Sequence, residues 1–331
     1  MKNYGIILNN IERELIMKVL FVSHGGYIHG GAHFALLDLI KSFKEYNIPV
    51  DPIILIPNNK QGMADELDRM EIKYIIHTNG PWVFRKEDKL YKKIIRYIKV
   101  VIRQIQFILS SYKLVKIIRK EKIDIIHSNS SVNGVGGYLH KLTNIPHIWH
   151  VREFGEEHQD YNFLFGTKLT RELMGKMSNK IVTISDALKI KYLKYIEEDK
   201  IVRIYDGVSE SYINPKVDVR LEGTYNILIT GTIQEGKRQL QAVEVVIELR
   251  NKGYDIELTL LGEYKNNDEY YKKILSKINN RKMSQYIHIL GHVSNINEYR
   301  KKMNLELVCS FMEGFGRGQP SQGPSRVMNK M

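Results

Sequence analysis

The sequence predicts an α/β protein built from two doubly wound domains with parallel sheets. Short apolar runs of strand length alternate with longer segments whose apolar residues recur at three- and four-residue steps. Strands that are apolar throughout are typical of parallel sheets, because helices cover both faces of such sheets. The alternation stops near Val208 and then begins again, and a length of 331 residues suits two domains.

The first domain is expected at residues 17–207, and residues 1–16 are interpreted as a leader without structural consequence. Ser185 and Asp186 are predicted to cap the helix after its sixth strand. Its other helices are predicted at 32–46, at 63–70 and in a basic region. The six predicted strands lie at residues 18–23, 50–56, 73–77, 123–128, 145–150 and 181–184.

The second domain is expected at residues 225–317, after a linker at 208–224. Its predicted strands lie at residues 225–230, 256–261, 287–290 and 305–308. Its predicted helices lie at residues 238–251, 268–279 and 295–303. Two doubly wound domains joined by a linker leave a cleft, and clefts of that kind usually hold the ligand.

The formal net charge of +13 comes mostly from one segment, Arg85 to Lys122, which has thirteen basic and three acidic residues. This segment is predicted to form an amphipathic helix whose apolar stripe packs on its own sheet. Its cationic face would be available to an anionic membrane surface, through the 88–120 region, at about 1 kcal/mol per basic residue. The alternative is that the lysines are simply solvated. The stripe comprises Leu90, Ile94, Ile98, Val101, Ile105, Ile108 and Leu109.

Three loops at strand ends carry glycines that could expose backbone amides to an anion. Gly30 and Gly31 open the first predicted helix, where the helix dipole also favours negative charge. Gly231 follows a strand, and Lys237 and Arg238 stand at the head of the next helix, so amides and cations could meet an anion there. Taken alone, Lys237 could equally be an ordinary surface lysine.

The third loop follows the strand at 305–308, and it runs Glu313-Gly314-Phe315-Gly316. Glu313 could accept hydrogen bonds from ligand hydroxyls while the glycine amides face a phosphate. His150 falls at the end of the fifth predicted strand, where its imidazole could donate a hydrogen bond to a ligand hydroxyl.

The loop with Glu313 resembles the Ser-x-x-Glu-Gly-Phe-Gly signature of the family 4 retaining glycosyltransferases, which have the GT-B fold. The Gly30-Gly31 loop, the Gly231 to Lys237 turn and His150 are also similar to that family's pattern. The resemblance implies that His150 and Glu313 are catalytic and that Gly231, Lys237, Arg238, Gly314, Phe315 and Gly316 bind the donor. Gly30 and Gly31 would face the acceptor and the donor phosphate.

The resemblance implies a nucleoside diphosphate sugar as substrate, a saccharide or lipid-linked acceptor, and a role in cell-surface polysaccharide synthesis. It implies no cofactor and no metal, and the chain has no Asp-x-Asp pair of the metal-dependent kind. The lone Cys309 favours a reducing compartment, so we expect a cytoplasmic protein, peripheral at the inner face of the cell membrane.

This chain departs from the family pattern in several places. Thr232 stands at the position of the family's arginine, and Asp206 replaces an asparagine to which we assign a structural role only. Ser321 stands where a second glutamate belongs. Residues 318–331 are rich in turn formers, so we expect an irregular tail, a truncated or frame-shifted second domain with an open sheet edge, and weak or no activity.

Two other classes of function remain open at this stage. The chain could be a non-catalytic remnant that binds lipid or acceptor but not nucleotide. The basic segment could instead bind nucleic acid, but no aromatic platform interleaves with its cations, so we favour this alternative least.

Overall fold

The computed structural model describes residues 16–28, 31–58, 62–78, 80–86, 89–155, 161–207, 223–293, 295–311 and 327–329. The chain divides into two compact units, Met1–Gly207 and Val208–Met331. Each unit contains a parallel sheet, so the predicted α/β class with two doubly wound sheets is confirmed.

The sheet of the first unit has seven parallel strands within the described residues, in the order β3-β2-β1-β5-β6-β8-β9. Every strand predicted there forms, with ends within two residues of the prediction. A separate antiparallel pair joins β4 (Val83–Arg85) to β7 (Tyr161–Phe163). The strands of the large sheet are β1 (Met17–Val22), β2 (Val50–Ile56), β3 (Tyr74–Ile76), β5 (Ile125–Ser128), β6 (His147–Val151), β8 (Lys180–Thr183) and β9 (Ile201–Arg203).

Helices cover both faces of this sheet, which explains why its strands are apolar throughout. Leu20 and Val22 of β1 belong to a core with the third and fourth helices, whereas Val19 and Phe21 pack with the first and second. Ser185 caps the sixth helix, as predicted, by accepting a hydrogen bond from the Leu188 amide. The helices are α1 (Gly31–Glu45), α2 (Met63–Arg69), α3 (Leu90–Glu121), α4 (Val135–Thr143), α5 (Thr167–Lys176) and α6 (Asp186–Leu193).

The helix α4 was not predicted, because its start, Val135-Gly136-Gly137, has the composition of a loop. The glycine at 136 is needed for packing. A Cβ there would lie 2.1 Å from the Ser128 hydroxyl oxygen and 2.7 Å from Nε2 of His147, two groups that already hydrogen-bond each other at 2.9 Å. The helix can therefore approach the sheet closely only with glycine at this position.

The prediction for the apolar stripe of α3 is wrong. Leu90 and Leu109 are each 71% exposed and Ile98 is 49% exposed, so these side chains do not pack on the sheet. The buried apolar side chains of this helix are Val100, Phe107, Leu114 and Ile118. Apolar residues outnumber the positions that the sheet can cover, so periodicity alone could not identify the buried face.

The sheet of the second unit has five parallel strands among the described residues, in the order β12-β11-β10-β13-β14. The strands are β10 (Tyr225–Thr230), β11 (Ile256–Leu261), β12 (Ile287–Gly291), β13 (Leu305–Val308) and β14 (Val327–Asn329). The helices are α7 (Gln239–Asn251), α8 (Glu269–Asn280) and α9 (Ile296–Arg300), the last being shorter than predicted.

The three residues of β14 lie within the predicted tail. They pair in parallel with β13, from Glu306 opposite Val327 to Val308 opposite Asn329. An unpaired strand edge leaves N–H and C=O groups without partners, and this pairing satisfies those of β13.

We expect Gly136→Ala to destabilise the first unit, although alanine is ordinarily favoured over glycine in a helix by about 1 kcal/mol. The added methyl must displace Ser128 and His147, and overpacking of this kind costs about 1–3 kcal/mol. Urea unfolding followed by tryptophan fluorescence measures the change, because Trp82 and Trp149 both lie in the first unit and stack at 5.5 Å.

The matched control is Gly207→Ala, where a Cβ would meet no atom within 4 Å. Its urea midpoint should equal that of the unsubstituted protein. A Gly136→Ala midpoint that stays level or rises would contradict the close approach of α4.

Candidate active site

His150 lies near the carboxyl end of β6, and its side chain is buried. His127 of the neighbouring strand β5 lies beside it. The two rings stack with centroids 5.3 Å apart, and Nε2 of His127 is 3.2 Å from Nδ1 of His150. The predicted site residue is thus paired with a second histidine, His127, which is partly buried.

Arg152, directly after β6, connects this pair to residues just beyond the ends of β5 and β9. Its Nη2 donates to Nδ1 of His150 at 3.2 Å, and its Nε donates to the side-chain oxygen of Asn129 at 3.0 Å. Its Nη1 forms an ion pair with Asp206, and the two side chains are only 3% and 6% exposed. Removing one partner of a buried ion pair costs about 3–5 kcal/mol, so this pair holds Arg152 in place.

The Arg152 contact determines which nitrogen of His150 carries the proton. A guanidinium has donors only, so Nδ1 of His150 must accept, and Nε2 of the neutral ring carries the hydrogen. Nε2 is buried and has no hydrogen-bond partner among the described residues, the nearest carboxylate oxygen being that of Asp206 at 4.0 Å. His150 therefore presents an unsatisfied N–H donor.

Both imidazoles are neutral at pH 7. Burial, with Arg152 and His127 adding like charge, holds the pKa of His150 well below its usual value. Burial, with further contributions from Arg152 and His147, lowers the pKa of His127 to about 3. In this state His150 can donate a hydrogen bond, but it cannot supply positive charge.

Glu153, the residue after Arg152, ties the loop after β6 to the loop after β5. Its buried Oε1 accepts hydrogen bonds from the Ser130 hydroxyl at 2.7 Å, the Ser131 amide at 2.6 Å and the Ser131 hydroxyl at 2.7 Å. A carboxylate with three donors on one oxygen makes a rigid support. The two loops next to His150 are therefore fixed to each other.

The glycine loop of the first unit lies at the same edge of the sheet, because β1 pairs in parallel with β5. A Cβ on Gly26 would lie 2.3 Å from the carbonyl oxygen of Asn58, so the backbone is closely packed there. Gly31 is the first residue of α1, and Gly30 lies outside the described residues. The loop also holds His24, whose pKa burial lowers to about 4.

The predicted glycine turn of the second unit is held in a defined shape. Gly231 has a φ of 129°, a conformation that only glycine adopts readily. A Cβ on Gly262 would lie 1.9 Å from the Gly231 carbonyl oxygen, so the two backbones touch. The buried amide of Gln239 donates to the Thr232 carbonyl at 2.9 Å. These contacts direct the turn carbonyls into the protein.

Lys237 ends a short 3-10 turn, Glu235–Lys237. Its side chain passes beside Gly231, because a Cβ added to that glycine would lie 3.7 Å from Cε and 3.9 Å from Cδ of Lys237. Arg238 has a left-handed backbone conformation and places its guanidinium 4.6 Å from the centroid of the Phe311 ring. The Phe311 amide donates to the Gly236 carbonyl at 2.9 Å. The chain leading to Glu313 therefore contacts the lysine turn.

The structure brings the site residues together in two groups, one in each unit. His150 and Gly31 share the edge of the first sheet, whereas Gly231, Lys237 and Arg238 form the turn of the second. The remaining predicted residues lie outside the described residues, and they are Gly30, Glu313, Gly314, Phe315 and Gly316.

Sequence reasoning missed His127, Asn129, Glu153 and the role of Asp206. The only available signal was position, since His127, Asn129 and Glu153 lie at or just beyond the ends of parallel strands. Asp206 was assigned to structure, but it neutralises the arginine that orients His150. Across the described residues, no three His, Cys, Asp or Glu side chains form a group that could hold a metal ion.

Comparisons with known proteins agree with this architecture. Residues 61–212 match Glycosyltransferase Family 4. The capsular polysaccharide biosynthesis glycosyltransferase CapH of Staphylococcus aureus is 27% identical over 210 residues, which are 61% of this chain and 58% of CapH. The chain thus spans less than two thirds of the length of this curated relative.

Solved structures share the fold. Anabaena Alr3699/HepE, in complex with UDP and glucose, matches with a TM-score of 0.68 and 15% identity over 92% of this chain and 77% of that one. A glycosyltransferase from Rickettsia africae matches with a TM-score of 0.66 and 22% identity over 92% of this chain and 76% of that one.

Two parallel sheets with glycine loops at their carboxyl ends define the chain as a protein of the GT-B fold. Within this fold, residues 61–212 are similar to Glycosyltransferase Family 4.

We expect the first unit to lose stability as the pH falls from about 6.5 toward 4. The folded state lowers the pKa of His24, His127, His147 and His150, so the unfolded chain binds protons that the folded one does not. This contribution to stability is therefore fully present above pH 6.5, and it is lost progressively as the pH falls toward 4.

Urea midpoints from tryptophan fluorescence at pH 8.5, 7.5, 6.0 and 5.0 test this expectation. The midpoint should be level between the two higher values and fall steeply at the two lower ones. A midpoint that does not change down to pH 5.0 would contradict the neutral, buried state of these histidines.

Proposed function

We propose that the protein transfers a sugar from a nucleoside diphosphate sugar to a saccharide or membrane-associated acceptor, with retention of configuration. The observation that carries this proposal is the buried N–H donor of His150, held by Arg152 and Asp206 at the carboxyl edge of a parallel sheet. Buried donors are normally paired, so a ligand oxygen is the natural partner of Nε2.

His150 is proposed to hold a hydroxyl of the transferred sugar near the reacting carbon. A neutral donor suits this role, because it binds a hydroxyl oxygen without adding charge beside a carbon that becomes positive as the bond breaks. Glu313 is proposed as the carboxylate that accepts hydrogen bonds from the sugar and steadies that charge. The Gly30-Gly31 loop would face the acceptor and the donor phosphate.

The leaving diphosphate gains negative charge as the glycosidic bond breaks, so its site needs fixed cations and amides more than a strong base. Lys237 and Arg238 provide two adjacent cations. Thr232 occupies the position of the family's arginine, and Arg238 is proposed to supply the missing positive charge. The amides after Gly231 and those of Gly314, Phe315 and Gly316 complete the proposed phosphate site. Neutralisation of this kind works without a metal ion.

The donor is proposed to be a uridine diphosphate sugar, because the structurally similar Alr3699/HepE was solved with UDP and glucose. The similarity to CapH supports a role in capsular or other cell-surface polysaccharide synthesis. We place this activity in the cytoplasm, since the lone cysteine, Cys309, favours a reducing compartment.

Isothermal calorimetry with UDP and a hydrolysis and transfer assay with UDP-glucose and UDP-N-acetylglucosamine test the proposal. We expect UDP to bind, and Lys237→Ala to weaken binding by about 10- to 100-fold, because one charge-assisted contact to the diphosphate is lost. The control is Lys272→Ala, which removes an exposed lysine of the same unit that pairs with Glu269.

A second variant separates nucleotide binding from sugar binding. His150→Ala should leave UDP affinity within about twofold while turnover of the sugar donor falls by 10- to 1000-fold. Absence of UDP binding by the unsubstituted chain would favour the non-catalytic remnant instead. Equal loss of UDP affinity in the Lys237 and Lys272 variants would remove Lys237 from the phosphate site.

A further inference from the structure

A broad apolar surface runs along the first two thirds of α3 and faces solvent. Its members are each at least 41% exposed, and they project over roughly 160° of the helix circumference. They span residues 90–112, a length of about 34 Å. We call this surface the apolar face of α3, and it comprises Leu90, Tyr91, Ile94, Ile95, Tyr97, Ile98, Ile102, Ile105, Ile108, Leu109 and Tyr112.

Cations border this face and dominate the whole helix. Four basic residues, spaced four, three and four residues apart, form a cationic stripe along one side of the apolar face. A second group of basic residues lies at the carboxyl end of the helix. The acidic residue of the helix, Glu121, lies at its last position and pairs with Lys73 at 2.6 Å. The stripe is Lys92, Arg96, Lys99 and Arg103, and the second group is Lys113, Lys116, Arg119 and Lys120.

This charge pattern decides between the partners that an apolar helix face could have. A second copy of the chain, docked through the same face, would bring nine cations of one helix toward nine of the other, with only Glu121 to offset them on each. An anionic bilayer surface matches both features, because isoleucine and leucine enter the acyl boundary while lysine and arginine stay among the phosphates.

We propose that α3 lies in the plane of an anionic membrane, with its apolar face inserted and its cationic stripe in the headgroup layer. Phe107, Leu114 and Ile118 hold the opposite side of the helix on the sheet, so the helix and the first unit are anchored together. In the described parts of the chain, no helix is long and apolar enough to span a bilayer.

The sequence pattern led us to expect lipid contact through charge alone, with the apolar stripe inside the protein. The structure assigns the apolar residues to the contact as well, so binding should depend on insertion and not only on salt-sensitive attraction. This inference rests on the exposure of α3 and not on the proposed transfer reaction, so each can fail without the other.

Vesicle sedimentation with the full chain tests the proposal. The vesicles are phosphatidylcholine alone or phosphatidylcholine with about 30% phosphatidylglycerol, and the second composition gives a strongly anionic surface. The triple variant Ile94→Ser, Ile98→Ser, Ile105→Ser should lower the partition coefficient on anionic vesicles at least tenfold. The cation variant Lys92→Gln, Arg96→Gln, Lys99→Gln should also lower it at least tenfold, and neutral vesicles should bind weakly throughout.

The matched control replaces three apolar side chains that are exposed elsewhere, as Ile190→Ser, Val245→Ser, Tyr254→Ser, and it should keep the original partition. Urea midpoints by tryptophan fluorescence should be equal in all variants, because none of the replaced side chains is buried. Equal midpoints separate a loss of insertion from a loss of folding.

Three results would overturn the proposal. One is equal binding of the triple isoleucine variant and the unsubstituted chain to anionic vesicles. Another is a dimer in sedimentation equilibrium that the isoleucine variant abolishes while vesicles are not bound. The last is tight binding to double-stranded DNA, lost in the cation variant and kept in the isoleucine variant, without binding to anionic vesicles.

Discussion

The guanidinium of Arg152 can donate hydrogen bonds but cannot accept them, and this constraint organises the candidate site of the first unit. Because it is held by Asp206 and Asn129, it forces Nδ1 of His150 to accept and leaves Nε2–H as a buried donor without a partner among the described residues. The same cation adds to the burial that keeps both His127 and His150 neutral. Arg152 thus sets the tautomer and the orientation of the proposed sugar contact, while burial is the main cause of its neutral state.

Parallel topology makes this arrangement possible. The ends of β5, β6 and β9 lie on one edge of the sheet, so residues far apart in sequence, such as Asn129 and Asp206, can hold the same side chain. The second unit uses the same principle with different chemistry. Its glycine turn and Phe311, which follows β13, lie beside Lys237 and Arg238, so this part of the unit concentrates amides and cations rather than histidines.

The strands could be predicted because a strand buried on both faces is apolar at every position, as Val19 to Val22 of β1 show. The helix α4 could not, because its glycines serve contacts with Ser128 and His147 that exist only in the folded sheet. The buried face of α3 was misassigned because the helix has more apolar residues than the sheet can cover, so several of its faces could have been the buried one. In the site, His150 could be identified, but the roles of Arg152 and Asp206 depend on which strand ends are neighbours.

The tautomer of His150 is the most direct test of this account, and nitrogen-15 NMR of histidine-labelled protein at pH 7 measures it. The account predicts a neutral ring with the proton on Nε2 and a bare Nδ1, and a change in the Nε2 signal when a UDP sugar binds. A proton on Nδ1, or a charged imidazolium, would show that Arg152 does not set the state of His150.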